Sequence, residues 1–255
     1  MTTEYSGAGD PKRSIELLWG VPDRPRRGPK PRLTVVQIAR AAIETADAEG
    51  LAALSMRRVA DRLGVPVMSL YTYVPSKAEL IDVMLDAVVA EVPMPGDNES
   101  SGWRARLERV ARENWALYHR HPWMLQVSTS RPVLGPNVVA KYDYELRAVD
   151  GIGLSDIEMD LLVSVVSDYV YGAVRSSVEA GRAELRTGMT DEQWWSAYAP
   201  LLEKVFDPQR YPTAARVGAA AGADYNAPSD PVRAFEFGLA RVLDGIEAFI
   251  TDRRG

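Results

Sequence analysis

Between Arg57 and Lys77 the chain gathers the side chains with which a protein touches duplex DNA. Arg57 and Arg58 can reach a base edge or a phosphate, and Ser69, Tyr71, Thr72 and Tyr73 offer hydroxyls to either. Val67 and Met68 have the size and polarity to meet a thymine methyl, and Lys77 is a compact cation for a phosphate oxygen. Two rival chemistries fit less well. Catalysis would call for a Gly-rich phosphate loop, a Gly-x-Ser-x-Gly elbow or metal-ligand spacing, and the sequence offers only scattered carboxylates. A helical protein-interaction module would have no need of the phosphate-binding charges of Arg57 and Lys77, and salt-dependent binding to duplex would tell the two apart.

The segments around these residues explain how they would be held. Thr34 and Gln37 have the spacing of a capping box, and Ile38, Ala39, Ala42, Ile43 and Ala46 recur on one face of a helix that stops at Gly50. Ser55 caps a shorter helix with Met56, Val59, Ala60 and Leu63 inward, and Gly64 supplies the left-handed residue that ends it. A short segment from Pro66 to Tyr73, anchored by Leu70, follows after a tight turn. Ser76 then caps a helix carrying Leu80, Ile81, Met84, Leu85, Val88 and Val89, expected to run to Val92. Two short helices joined through Gly64 are a helix-turn-helix, in which the second helix enters the major groove.

The distribution of charge agrees. The chain as a whole carries −5, yet from Arg24 to Lys77 there are ten basic residues against four acidic ones, a local +6, while residues 93–255 balance at −5. A basic front attached to an acidic back is expected where only the front meets phosphate. Four prolines prevent a helix in Pro22–Arg32, so residues 1–32 are expected to be a mobile basic arm. The apolar island Ser14–Trp19 within it admits two readings, a short docking helix or disorder. There is no cysteine, and His119 and His121 stand two apart, on different faces of a helix, so neither a metal nor a cofactor is implied. No signal peptide and no run of about 18 apolar residues is seen, so a cytoplasmic protein with no membrane partner is expected.

Leu54-Ser-Met-Arg-Arg-Val-Ala-Asp-Arg-Leu-Gly-Val65, followed by Ser69-Leu-Tyr-Thr-Tyr-Val-Pro-Ser-Lys77 and Leu80, resembles the tetracycline-repressor (TetR) family of bacterial regulators. His121-Pro-Trp123, the Arg131–Pro136 stretch and Asp168–Ala173 look like the C-terminal domain of its actinobacterial branch. The resemblance implies that Arg57 reads a base edge or a nearby phosphate, that Val67, Met68, Ser69 and Thr72 face bases, and that Tyr71, Tyr73 and Lys77 hold phosphates. Pro66 departs from the family's small polar residue and leaves the first turn without a capping hydroxyl. The resemblance further implies a C-terminal domain that dimerises and binds a small-molecule inducer that weakens DNA binding.

Beyond a Pro/Gly/Asn/Ser linker at 93–102 the pattern is helical throughout: Trp103–Arg120, a short piece after Pro122, about Pro136–Asp150, Ser155 to about Glu184, Asp191–Phe206 and Pro231–Asp252. Tyr211–Pro228 is expected to be a loop with a fragile helical piece, and no strand is expected. The fold is therefore all-α, divided into an arm (1–32), a helix-turn-helix unit (33–80), a connecting helix (81–92), the linker (93–102) and a ligand-binding and dimerisation domain (103–255). Trp115, Tyr118, His119, Trp123, Tyr142, Asp168, Tyr169 and Trp194 are the candidates for a pocket taking a small apolar or aromatic inducer. Each is also the kind of residue that packs a core. Val232, Phe235, Leu239, Val242, Ile246 and Phe249 step by three and four along the last helix, a stripe wide enough for the chain's own core and a four-helix homodimer interface. The reading that results is a repressor whose paired heads occupy successive major grooves of a near-palindromic double-stranded operator until an inducer binds.

Overall fold

The computed structural model describes residues 4–20, 33–95 and 101–253. It is all-α apart from one two-residue parallel pairing, and it divides into two compact units, Met1–Ser167 with Ile246–Gly255, and Asp168–Gly245.

In the first unit, α1 (Pro11–Trp19) is started by Asp10, whose side chain accepts from Arg13 N–H at 2.9 Å, and stopped by Gly20 at φ 64°. α2 (Val35–Glu49) begins with the expected capping box, Thr34 accepting from Gln37 N–H at 3.2 Å while Gln37 accepts from Thr34 N–H at 2.9 Å. Such a cap is worth about 1 kcal/mol. α3 (Met56–Leu63) is capped by Ser55, and Gly64 at φ 65° turns the chain into α4 (Val67–Tyr71). α5 (Lys77–Val89) starts at Ser76 and ends three residues before the expected Val92. The chain continues as α6 (Trp103–Arg120), a 3-10 turn (Pro122–Gln126), β2 (Val127–Ser128) and α7 (Pro136–Arg147). The long α8 (Asp156–Thr187) starts in this unit, and α11 (Pro231–Asp252) ends in it.

Its core joins Ile38, Ala42 and Ala46 of α2, Val59 and Ala60 of α3, Leu70 of α4 and Leu80, Ile81, Met84 and Val88 of α5 to Trp123 and Val127. Removing these side chains from water is the main force that sets α3 and α4 at a fixed angle to α2. α5 is the centre of the arrangement, since every residue from Glu79 to Asp86 is buried. A boundary at 80/81 would cut through it.

Two further expectations are corrected. Residues 4–20 are not part of a mobile arm: β1 (Glu4–Tyr5) pairs in parallel with β2, and α1 packs on α5. The rest of the basic run, 21–32, lies outside the described residues. In the second unit, beside α9 (Asp191–Glu203), the expected loop is α10 (Pro212–Tyr225), a helix of 14 residues. Proline at its start and Asn226 in the left-handed region at its end fix both termini, and its alanines offset Gly218 and Gly222. Gly222 has a packing reason as well: a Cβ there would lie 2.7 Å from the Trp195 ring.

Candidate nucleic-acid interface

α3 and α4 pack together, and Val59, Ala60 and Leu70 are all buried in the same core, so the side chains between these anchors turn outward. Met68, 70% exposed, Tyr71 and Thr72 form the open face of α4, with the Thr72 hydroxyl donating to Ser69 O at 2.7 Å. Ser69 is half-buried beside them. Val67 and Tyr73, both expected outward, are also half-buried and pack partly on the core.

The cations differ in their freedom. Arg57 is exposed and has no ion pair among the described residues. Arg58, also exposed, pairs with Glu49 of α2. Arg62 Nη2 lies 2.9 Å from Glu44 Oε2, and Arg40 Nε lies 3.1 Å from Glu44 Oε1. Hydrogen bonds from Arg62 and then Arg40 hold the Glu44 carboxyl below the usual carboxylate range. Lys77, expected to be ready for a phosphate, already has an anion: its Nζ is 2.7 Å from Glu4 Oε1.

The residues that fix this unit in place are ones the sequence reading passed over. Glu79, Asp82 and Asp86 lie on α5 at i, i+3 and i+7, all buried. Each accepts hydrogen bonds from another segment: Glu79 from Asp10 N–H, Asp82 from Gly7 N–H and the Ser14 hydroxyl, Asp86 from Asn137 and Val138 N–H. Burial holds the Asp82 carboxyl above its ordinary range, and its two donors draw it part of the way back. His121, buried after α6, places Nδ1 2.8 Å from Asp47 Oδ1 and Nε2 3.1 Å from Glu91 Oε2, and Trp123 Nε1–H donates to the same Asp47 oxygen at 2.9 Å. Three acids at helical spacing inside an apolar helix were the available signal.

The eight pocket candidates are shared between the two units. Trp123 is fully buried in the core beside Asp47. Trp115 and His119 lie ring to ring at 4.8 Å on α6, Tyr118 packs partly on the core, and Tyr142 is exposed with its hydroxyl on Asp160 at 2.7 Å. In the other unit Asp168 is exposed, Tyr169 stacks on Phe235 and donates to its carbonyl at 2.7 Å, and Trp194 stacks on Tyr198 at 4.4 Å. Two grooves of the first unit, about 460 Å³ along α6 and about 740 Å³ between α1, α2, α5 and α7, include none of the eight. The stripe on α11 divides in the same way. Phe235, Leu239 and Ile246 are buried within the chain, Val242 is half-buried, and Val232 and Phe249 are exposed. Helical periodicity records that a face is apolar and not what covers it.

A helix-turn-helix presenting arginine, thioether, hydroxyl and phenol groups, followed by a larger helical region, defines a DNA-binding regulator. Residues 38–84 match the model of bacterial regulatory proteins of the tetR family, and residues 94–250 match that of the tetracyclin repressor-like C-terminal domain. The chain belongs to the TetR family and is a DNA-binding transcriptional regulator. It is 48% identical, over its whole length and 92% of the other chain, to the HTH-type transcriptional repressor DrrR1 of Streptomyces coeruleorubidus. An HTH-type transcriptional regulator of Saccharopolyspora erythraea is 35% identical over 62% of this chain and 66% of its own. Among solved structures, apo ActR from Streptomyces coelicolor superposes with a TM-score of 0.72 at 26% identity, covering 88% of this chain and all of that one. ActR in complex with actinorhodin gives 0.71 at 26% identity, covering 86% and 99%. Among the described residues no helix is long and apolar enough to cross a membrane.

Proposed function

We propose that this protein is a homodimeric repressor, acting in the cytoplasm by binding and not by catalysis, that is released from a near-palindromic operator by a small apolar or aromatic ligand. The observation that carries the reading is the outward row Arg57, Met68, Tyr71 and Thr72, set by the buried Val59, Ala60 and Leu70 of the core beneath it. Arg57 supplies a charge that no carboxylate among the described residues has claimed, and the α4 side chains are those that read base edges and thymine methyls. For dimerisation, Ile157, Leu161 and Val165 form an exposed apolar line at i, i+4 and i+8 on α8, and Phe249 of α11 is exposed too. Apolar lines of this kind on a soluble helix mark an interface. For the ligand, the support is the actinorhodin complex of ActR, from which this chain inherits an expectation of chemistry and not of identity.

The test is fluorescence anisotropy of promoter-region duplex with pure protein over a salt series, with light scattering on the same sample. Specific binding whose affinity falls steeply with salt, by a particle of twice the chain mass, is expected. A monomer, or binding equal for promoter and unrelated duplex at every salt, would remove the reading. Displacement from the bound duplex by a panel of aromatic small molecules then tests release.

A further inference from the structure

Residues 4–20 fall outside both matched family regions, yet they are bound closely to the DNA-binding unit. On one side Glu4–Tyr5 pairs with Val127–Ser128, and Ser6 N–H donates to Ser128 O at 3.0 Å. On the other, Gly7 N–H donates to Asp82 Oδ1 at 2.9 Å and Asp10 N–H to Glu79 Oε1 at 3.0 Å. Gly9 lies so close to α5 that a Cβ there would be 2.4 Å from Glu79 Oε1. The backbone that carries Glu4 is thus held from both directions, and its carboxylate is delivered to one place, 2.7 Å from Lys77 Nζ.

We infer that Glu4 is a built-in competitor for the DNA backbone: it occupies the ammonium of Lys77 in the free protein, and a phosphate of the duplex must displace it. The inference rests on the DNA-binding reading above and assigns a regulation to that same surface. Geometry permits the exchange at small cost. The pair is partly exposed, 31% and 32%, so water and a phosphate oxygen can reach it. The other attachments of the segment, through backbone N–H groups, the Ser6 and Ser14 hydroxyls and the pairing with β2, do not use the Glu4 side chain, so Glu4 can rotate away while the rest stays in place. A partly exposed pair is a weak lock, which suits a contact that must open on each binding event. Because phosphate is common to every duplex, the competitor lowers affinity for all sequences alike and leaves base discrimination to α4.

The test compares the intact chain with Glu4→Gln, with and without Lys77→Met, in two measurements. The first is the rate at which Lys77 is acetylated in the free protein, read by mass spectrometry. The second is affinity for promoter and unrelated duplex. Glu4→Gln is expected to speed acetylation of Lys77 severalfold, to tighten both duplexes by about two- to fivefold, and to lose that gain in the Lys77→Met background. Unchanged acetylation in Glu4→Gln overturns the masking of Lys77 whether or not the chain binds DNA. Faster acetylation with unchanged affinity overturns the competition. A native chain that binds no duplex at any salt overturns the DNA-binding role itself, and the acetylation measurement keeps that failure separate from the mask.

Discussion

The carboxylate of Asp86 on α5 accepts from the backbone N–H groups of Asn137 and Val138, each at 3.0 Å, and so caps α7 from a different helix. α7 has no cap of its own, because Gly135 stands at that position. The last helix of the DNA-binding unit is therefore fastened to the first turn of a helix in the region that follows, and a shift of either carries the other.

Asp86→Ala leaves two N–H groups of α7 without their acceptor. It is expected to destabilise the chain by about 1–3 kcal/mol in urea unfolding, with Asp86→Asn, which keeps one acceptor oxygen, losing less. Equal midpoints for the native chain and Asp86→Ala would refute the cap.

Gly135→Ala tests the same junction from its other side. A Cβ there would lie 2.2 Å from Asp86 Oδ1, so the carboxylate must leave its place. A loss of stability is expected in the native background and little further loss in Asp86→Ala, a coupling of about 1 kcal/mol or more between neighbours. Additive losses would mean that the glycine serves another purpose.

Arg57 and Arg62 should separate in DNA binding. Arg57→Ala is expected to weaken promoter affinity by about 1–3 kcal/mol, roughly 5- to 150-fold. Arg62→Ala should cost less, because its guanidinium is engaged by Glu44. The reverse order, in the same anisotropy series, would move the contact surface along α3.

Glu158 gives a pH signature. Hydrogen bonds from Arg253 and from the N–H and hydroxyl of Ser155 depress its carboxyl to about 2. The folded value lies below the unfolded one of about 4.3, so the stabilisation is present in full above that range. It is lost as pH falls towards about 2. The Glu158 resonance should titrate near 2 in the native chain and nearer the ordinary value in Arg253→Met. Titration at the ordinary value in both would show that the pair does not persist in solution.

Local signals made the helix-turn-helix readable in advance. Thr34 with Gln37, Ser55, Gly64 and Ser76 fix termini within a few residues of themselves, and each cap is where its sequence places it. What was not readable depends on partners far along the chain. Ser14 meets Asp82 across 68 positions and Glu4 meets Lys77 across 73, so the sequence left α1 open between a docking helix and disorder, and Lys77 looked free. Trp123 shows the limit of composition: an aromatic ring suits a ligand pocket or a core equally, and here the Asp47 acceptor for its N–H settles it inside the fold. Phe235 and Phe249 share one helix and one periodicity, yet the first is buried and the second exposed.

The parallel pairing of β1 with β2 also has a consequence in time. The chain is made from its N-terminus at roughly 5–20 residues per second, and Glu4 is made well ahead of its strand partner Val127, which comes 123 positions later. α2 to α5 can close on their own contacts once residue 89 has emerged, seconds before β2 exists. During synthesis the reading head therefore forms ahead of its own restraint, and Glu4 and Tyr5 find their place only after residues made much later.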